Sequence, residues 1–134
     1  SAPAGTIIFC APEQVQPQAP ADTMSPKVDI YGMGGTLYFM LTGVHPFRGS
    51  STLEIQDRKL SEPLPKVADR LGARAVPELD ELIEACLQPD PAGRPSEIRE
   101  VKRAIDRIRP RYPKPRYTDE NKMVAPSPIR KRRV

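Results

Sequence analysis

The sequence contains no Trp, one His and two Cys among its 134 residues, and aromatic side chains make up only 5% of it. A four-ligand metal centre would therefore depend on carboxylates, and no group of Asp or Glu has helpful spacing. Cys10 and Cys86 lie far apart, each in an apolar stretch, without the close pairing of a zinc knuckle or redox motif. Both read as buried thiols, and a reducing, cytosolic compartment fits them best. No apolar run approaches the roughly 18 to 20 residues of a spanning helix. The opening lacks the basic-then-apolar shape of a secretory signal, and it begins with Ser1 rather than Met. A piece of a longer protein is expected.

What the chain does have is Pro, 17 of them, with 8 Gly. A hydrophobic fraction of 38% still permits an ordinary core, so wholesale disorder is excluded. The formal charge of +4 conceals two unlike regions. Residues 1–108 carry 12 Lys and Arg against 15 Asp and Glu, whereas residues 109–134 carry 9 basic residues against Asp119 and Glu120. A weakly acidic body does not suit nucleic acid, and only the Pro-rich basic tail needs an electrostatic partner.

No internal repeat is present. Residues 14–25 read as loop, with no strand beyond a possible extended piece at Thr6 to Phe9. Ser25 is a good N-cap and Pro26 fits the first helical position, which predicts a helix from Pro26 to Thr42. Its apolar residues cover every face, so burial all round is expected. Gly32, Gly34 and Gly35 each cost roughly 1 kcal/mol in a helix interior, which asks for another backbone close by. Asp29 in its first turn needs hydrogen-bond donors if it is buried. Gly43 stops the helix. A short amphipathic helix follows at Ser51 to Leu60, with Leu53, Ile55 and Leu60 as its apolar set. Pro63 and Pro65 open a loop through about Val76. Pro77 starts a helix with Leu79, Leu82, Ile83, Cys86 and Leu87 on its inner face. After the rigid run 89–95, Ser96 caps a last helix with Ile98, Val101, Ile105 and Ile108 inward.

Four ordered stretches carry a family likeness: Gly5-Thr6-Ile7-Ile8-Phe9-Cys10-Ala11-Pro12-Glu13, Asp29-Ile30-Tyr31-Gly32-Met33-Gly34, Gly43-Val44-His45-Pro46-Phe47, and Asp90-Pro91-Ala92-Gly93-Arg94-Pro95. Together they resemble the second half of the catalytic domain of eukaryotic-like Ser/Thr protein kinases, as in a bacterial receptor-like kinase. The resemblance covers residues 5–108 and implies a mainly α fold: the helical C-lobe portion, truncated, without the N-lobe β-sheet. Residues 1–108 would be a partial kinase domain, while residues 109–134 have too few apolar residues to pack and are expected to form a disordered Pro-rich basic tail or linker.

By the same resemblance, Thr6 sits in the pocket for the substrate residue that follows the phosphorylation site. Glu13 pairs with Arg94 in a bidentate contact. Asp29 accepts hydrogen bonds from the catalytic-loop backbone, a scaffolding role. Phe9 stands where the family usually has Tyr, Gly32 replaces the usual Ser, and about four extra residues separate Glu13 from Asp29, a cheap insertion. The Phe and Gly substitutions favour a degenerate member slightly.

Phosphoryl transfer needs a Gly-rich loop, a strand Lys paired with a helix Glu, a catalytic Asp and Asn, and a metal-binding Asp. None is found here, so no catalytic residue is assigned. Gly32-Met33-Gly34-Gly35 follows no strand, and Asp69-Arg70-Leu71-Gly72 comes on the wrong side of Glu13 to serve as the metal-binding motif. His45 reads as structural rather than as a base. ATP and Mg would belong to the complete kinase, and this portion alone should be inactive. Its expected partners are protein substrates and the missing N-terminal part of the domain. Arg130, Lys131, Arg132 and Arg133 could meet an anionic membrane surface if a spanning helix follows Val134, placing the protein at the inner face of a membrane. A solvated linker and a nuclear-import or nucleic-acid patch are the other readings of the tail, though no specific nucleic acid is expected. For the parent, an active kinase, a pseudokinase binding module and a basic scaffold acting through its tail remain open.

Overall fold

The computed structural model describes residues 7–15, 25–112, 116–117 and 123–124. Its architecture is mainly helical: α1 (Pro26–Thr42), α2 (Thr52–Ser61), α3 (Ala68–Leu71), α4 (Pro77–Cys86) and α5 (Ile98–Ile108), with short 3-10 turns between them. Two-residue strands β1 (Arg116–Tyr117) and β2 (Met123–Val124) pair antiparallel in the tail.

The start of α1 follows from its cap, since Ser25 Oγ accepts from the Lys27 N–H at 3.3 Å and Pro26 needs no donor partner. Gly43 ends it in the left-handed region, φ 76°, with its N–H donating to the Phe39 carbonyl at 2.8 Å. Around α1 pack α4 and α5. The core joins Ile30, Tyr31 and Tyr38 to Ile83, Cys86 and Val101, all essentially sealed from solvent. Each fully buried aliphatic side chain here contributes about 1.5–3 kcal/mol.

Close approach is needed at only one of the three glycines. A methyl group on Gly34 would lie 2.7 Å from Cys86 Cβ and 3.1 Å from Leu87 Cγ. At Gly32 and Gly35 the nearest atoms, Phe9 O at 3.7 Å and Phe9 Cδ1 at 3.5 Å, make ordinary contact. Nor is α1 buried all round. Asp29, Met33, Thr36, Phe39 and Met40 are exposed along one side, because positions three and four apart share a helix face.

Several local expectations give way to packing. Residues Ile7 to Cys10 form a turn, closed by the Cys10 N–H to the Ile7 carbonyl at 3.1 Å, instead of an extended piece. The expected loop after Pro65 contains α3 and a 3-10 turn at Gly72–Arg74. Asp80 of α4 organises it, accepting from the Val67 N–H at 2.6 Å and the Ala68 N–H at 3.2 Å. The last helix starts after Glu97 with no side-chain cap, so Ser96 does not serve there, and Ile98 is exposed. On α2 the buried pair is Ile55 and Lys59, whereas Leu53 and Leu60 are 79% and 48% exposed.

Beyond Ile108, the turn Arg109–Arg111 stays on the body through an ion pair of Arg111 with Glu78. Tyr112 packs half-buried against the core. No helix among the described residues is long and apolar enough to cross a membrane.

Candidate functional site

The segment Ile7 to Val15 is held to the helices by side chains that reach its backbone and by one ion pair. Pro12 opens the 3-10 turn Pro12–Gln14, and the Gln14 side chain accepts from the Ala11 N–H at 2.9 Å. That turn carries Glu13 toward Arg94. On the other side, Asp90 Oδ1 accepts from the Ala92 N–H at 2.9 Å and shapes the turn Pro91–Gly93. The chain leaves that turn at Arg94, whose side chain is fully buried.

A guanidinium has five N–H donors, and here every one is used. Nη1 and Nη2 reach Glu13 Oε1 and Oε2 at 2.6 and 2.9 Å. The remaining donors go to the carbonyls of Lys27 at 3.0 Å, Pro89 at 3.1 Å and Gln88 at 2.7 Å. Burial pulls the Glu13 carboxyl upward, but the Arg94 hydrogen bond and charge outweigh it and hold its pKa below the ordinary value. Such full satisfaction lets a buried cation remain favourable.

Tyr31 forms the wall behind this pair. Its ring lies 4.8 Å from the Arg94 guanidinium carbon and 5.6 Å from Lys59 Nζ. The phenol oxygen is buried with no partner among the described residues, and burial raises its pKa. From α2, Lys59 Nζ donates to the carbonyls of Ile7 at 2.6 Å and Cys10 at 2.7 Å, while Gln56 Nε2 donates to Pro12 O at 2.8 Å. Burial lowers the Lys59 pKa to about 8, partly opposed by Cys10.

Phe9 closes the other side of the segment. Its ring meets His45 edge-on at 4.6 Å, and His45 stacks on Phe39 at 4.6 Å. His45 thus packs as an aromatic plate, with Nδ1 buried and unpartnered among the described residues. Burial, Arg48 and Lys59 all lower its pKa. Cys86 is buried and its thiol is pushed up to about 11 by burial, while Cys10 is half-buried.

The structure brings Glu13 and Arg94 together but leaves Asp29 exposed, with no partner for its carboxylate among the described residues. Thr6, Arg130, Lys131, Arg132 and Arg133 lie outside the described residues. Among the described residues no cluster of three or more His, Cys, Asp or Glu could hold a metal. Gly34 sits too close to Cys86 to cradle a phosphate, and Asp69 is exposed on α3. These residues do not fit a magnesium nucleotide, and no step through one follows from them.

Lys27, Gln56 and Lys59 escaped the sequence reading. Most of their partner atoms are backbone carbonyls, which leave no mark in a sequence. The one usable signal was register: Lys59 is four residues beyond Ile55, on the same face of α2.

The chain has counterparts among known proteins. The family model described as "Protein kinase domain" matches residues 1–105. The chain is 33% identical over 127 residues to "Serine/threonine-protein kinases drp72" of Corynebacterium efficiens, covering 92% of this chain and 23% of that protein. It is 32% identical over 130 residues to "Serine/threonine-protein kinase pkn3" of Myxococcus xanthus, with the same 92% and 23% coverage. A match to "Serine/threonine-protein kinase PkaA" of Streptomyces coelicolor reaches 39% identity over 95 residues, 69% of this chain and 15% of that one. Among solved structures, "Crystal structure of Rad53 kinase domain and SCD2" shares the fold at a TM-score of 0.57 and 24% identity, covering 78% of this chain and 36% of that chain. The chain belongs to the protein kinase domain family, and its helices are the C-lobe portion of that fold. It spans less than a quarter of the length of these curated relatives.

Proposed function

We propose that this chain is the substrate-side scaffold of a Ser/Thr protein kinase that transfers the γ-phosphate of ATP to protein hydroxyls. In this reading Ile7 to Glu13 ends the activation segment and Thr6 lines the pocket for the residue after the acceptor. Glu13 and Arg94 tie the segment to the lower lobe, and Asp29 anchors the catalytic loop from the rest of the domain.

The observation that carries the reading is the fully satisfied Arg94, which joins Glu13 to the base of α1 and to the loop before α5 across most of the chain. The exposed side of α1 supports it. Asp29, Met33 and Met40 lie along one face that nothing in the described residues covers, and the rest of a kinase domain would bury it. ATP and Mg then bind elsewhere in the parent, and this portion alone transfers no phosphate.

The test is a phosphotransfer assay with Mg-ATP and a generic basic protein. The parent should label the protein, and the 134-residue chain alone should stay at background. Dependable turnover by the isolated chain overturns the division of labour. A silent parent that still folds points to the pseudokinase reading.

A further inference from the structure

Lys59 is the one buried side-chain cation among the described residues without a carboxylate partner. Only 1% of it is exposed. Removing an ammonium from water without a counter-ion is unfavourable, and an aliphatic side chain could fill the same place on α2. What the ammonium does instead is hold backbone. It takes the carbonyls of Ile7 and Cys10 at 2.6 and 2.7 Å, and Gln56, one turn earlier, takes that of Pro12 at 2.8 Å. Three carbonyls of one short segment are thus fixed by one face of one helix, directly after Thr6.

We propose that Lys59, assisted by Gln56, is a positioning residue for the acceptor peptide, setting the Ile7–Pro12 backbone of the activation-segment end against which that peptide lies. The inference rests on the kinase reading above. Hydrogen bonds from a charged donor are the stronger kind, so the hold depends on the ammonium being protonated. Because burial brings its pKa down to about 8, the hold weakens in mildly alkaline solution. The titratable groups nearest Lys59 are the Cys10 thiol, the Tyr31 phenol on α1 and His45 in the loop after it. Glu62, Lys66, Asp80 and Glu84 share the cleft beside it. His45 titrates below its ordinary value and Tyr31 above, so neither changes charge in this range.

The experiment uses the full-length parent kinase with Lys59→Met, Lys59→Gln and Lys59→Arg. It reads kcat and KM for acceptor peptide and for ATP between about pH 7 and about pH 9, and hydrogen exchange of amides 7–11. Cys10→Ser is the control for the neighbouring thiol. Lys59→Met should raise the peptide KM about tenfold at neutral pH, leave the ATP KM unchanged and speed exchange of amides 7–11 selectively. Lys59→Arg should recover most of the loss and flatten the alkaline rise in peptide KM seen in the wild type. Lys59→Gln should behave as Lys59→Met and replaces it if that variant does not fold. Unchanged peptide KM and exchange overturn the proposal, as does an equal loss in both KM values with exchange raised throughout. A parent without phosphotransfer refutes the kinase reading and the acceptor-peptide role with it, whereas a parent that transfers phosphate while peptide KM and exchange of amides 7–11 stay unaltered in the variants refutes the role of Lys59 alone.

Discussion

Lys27 and Arg94 bond to each other's backbone: Lys27 Nζ donates to the Arg94 carbonyl at 3.0 Å, and Arg94 Nη1 donates to the Lys27 carbonyl at 3.0 Å. The first turn of α1 and the loop before α5 are therefore joined twice, and Glu13 completes the joint through the same guanidinium. Two segments distant in sequence share one buried charge.

Removing Glu13 should be costly. Glu13→Ala strands the buried Arg94 cation, which should lower stability by about 3–5 kcal/mol. Arg94→Lys should recover little, because an ammonium cannot fill five fixed directions. Denaturant unfolding of the parent measures both. A loss under about 1 kcal/mol in Glu13→Ala would mean that the guanidinium is satisfied without its carboxylate.

Acid should loosen the same joint. The folded-state pKa of Glu13 lies below its ordinary 4.5, so its stabilisation is complete above the unfolded value and disappears as pH falls through the folded one. Glu13→Gln should therefore flatten the acid limb of the stability profile below about pH 5. An unchanged limb argues against it.

Lys59 acts in the opposite direction. Its folded pKa of about 8 lies below the ordinary 10.5, so between these values the unfolded chain binds the extra proton and stability rises with pH. Lys59→Met should abolish that alkaline rise. Thermal melts across this range decide it, and a stability that falls from pH 8 upward in the wild type would contradict the sign.

The glycines of α1 should separate by substitution. Gly34→Ala drives a methyl group to 2.7 Å from Cys86 Cβ and should cost about 1–3 kcal/mol. Gly32→Ala meets nothing closer than 3.7 Å and should be neutral or gain up to about 1 kcal/mol from helix propensity. Equal effects in the two variants would sink the packing account.

The exposed side of α1 should make the isolated chain prone to association. Met40 is 74% exposed beside Phe39 at 40%. Met40→Lys should reduce light scattering of the isolated chain and its binding of an apolar dye, with far-UV dichroism retained. Unchanged scattering would place the sticky surface elsewhere.

The helices were legible because their punctuation is local: Ser25, Pro26, Gly43 and Pro77 act on the turns in which they occur. The likeness that paired Glu13 with Arg94 came from ordered motifs, not from periodicity. The buried face of α2 was not legible, since a Lys reads as a solvent residue until its acceptors are known, and these are carbonyls of Ile7 and Cys10. α3 was missed because Asp80, twelve or more positions away, supplies the contacts that order its start. The open side of α1 is not legible in composition, which shows that a face is apolar but not whether this portion of the domain covers it.

Tyr31 has a consequence for how such substitutions combine. One ring lies against both the Lys59 ammonium and the Arg94 guanidinium, so the two grips on the Ile7–Glu13 segment share a wall. Their energies are then coupled: losing one cation lets the ring shift and alters what the other is worth. The segment is held less like a bar on two bolts than like a wedge, in which slackening either side frees both.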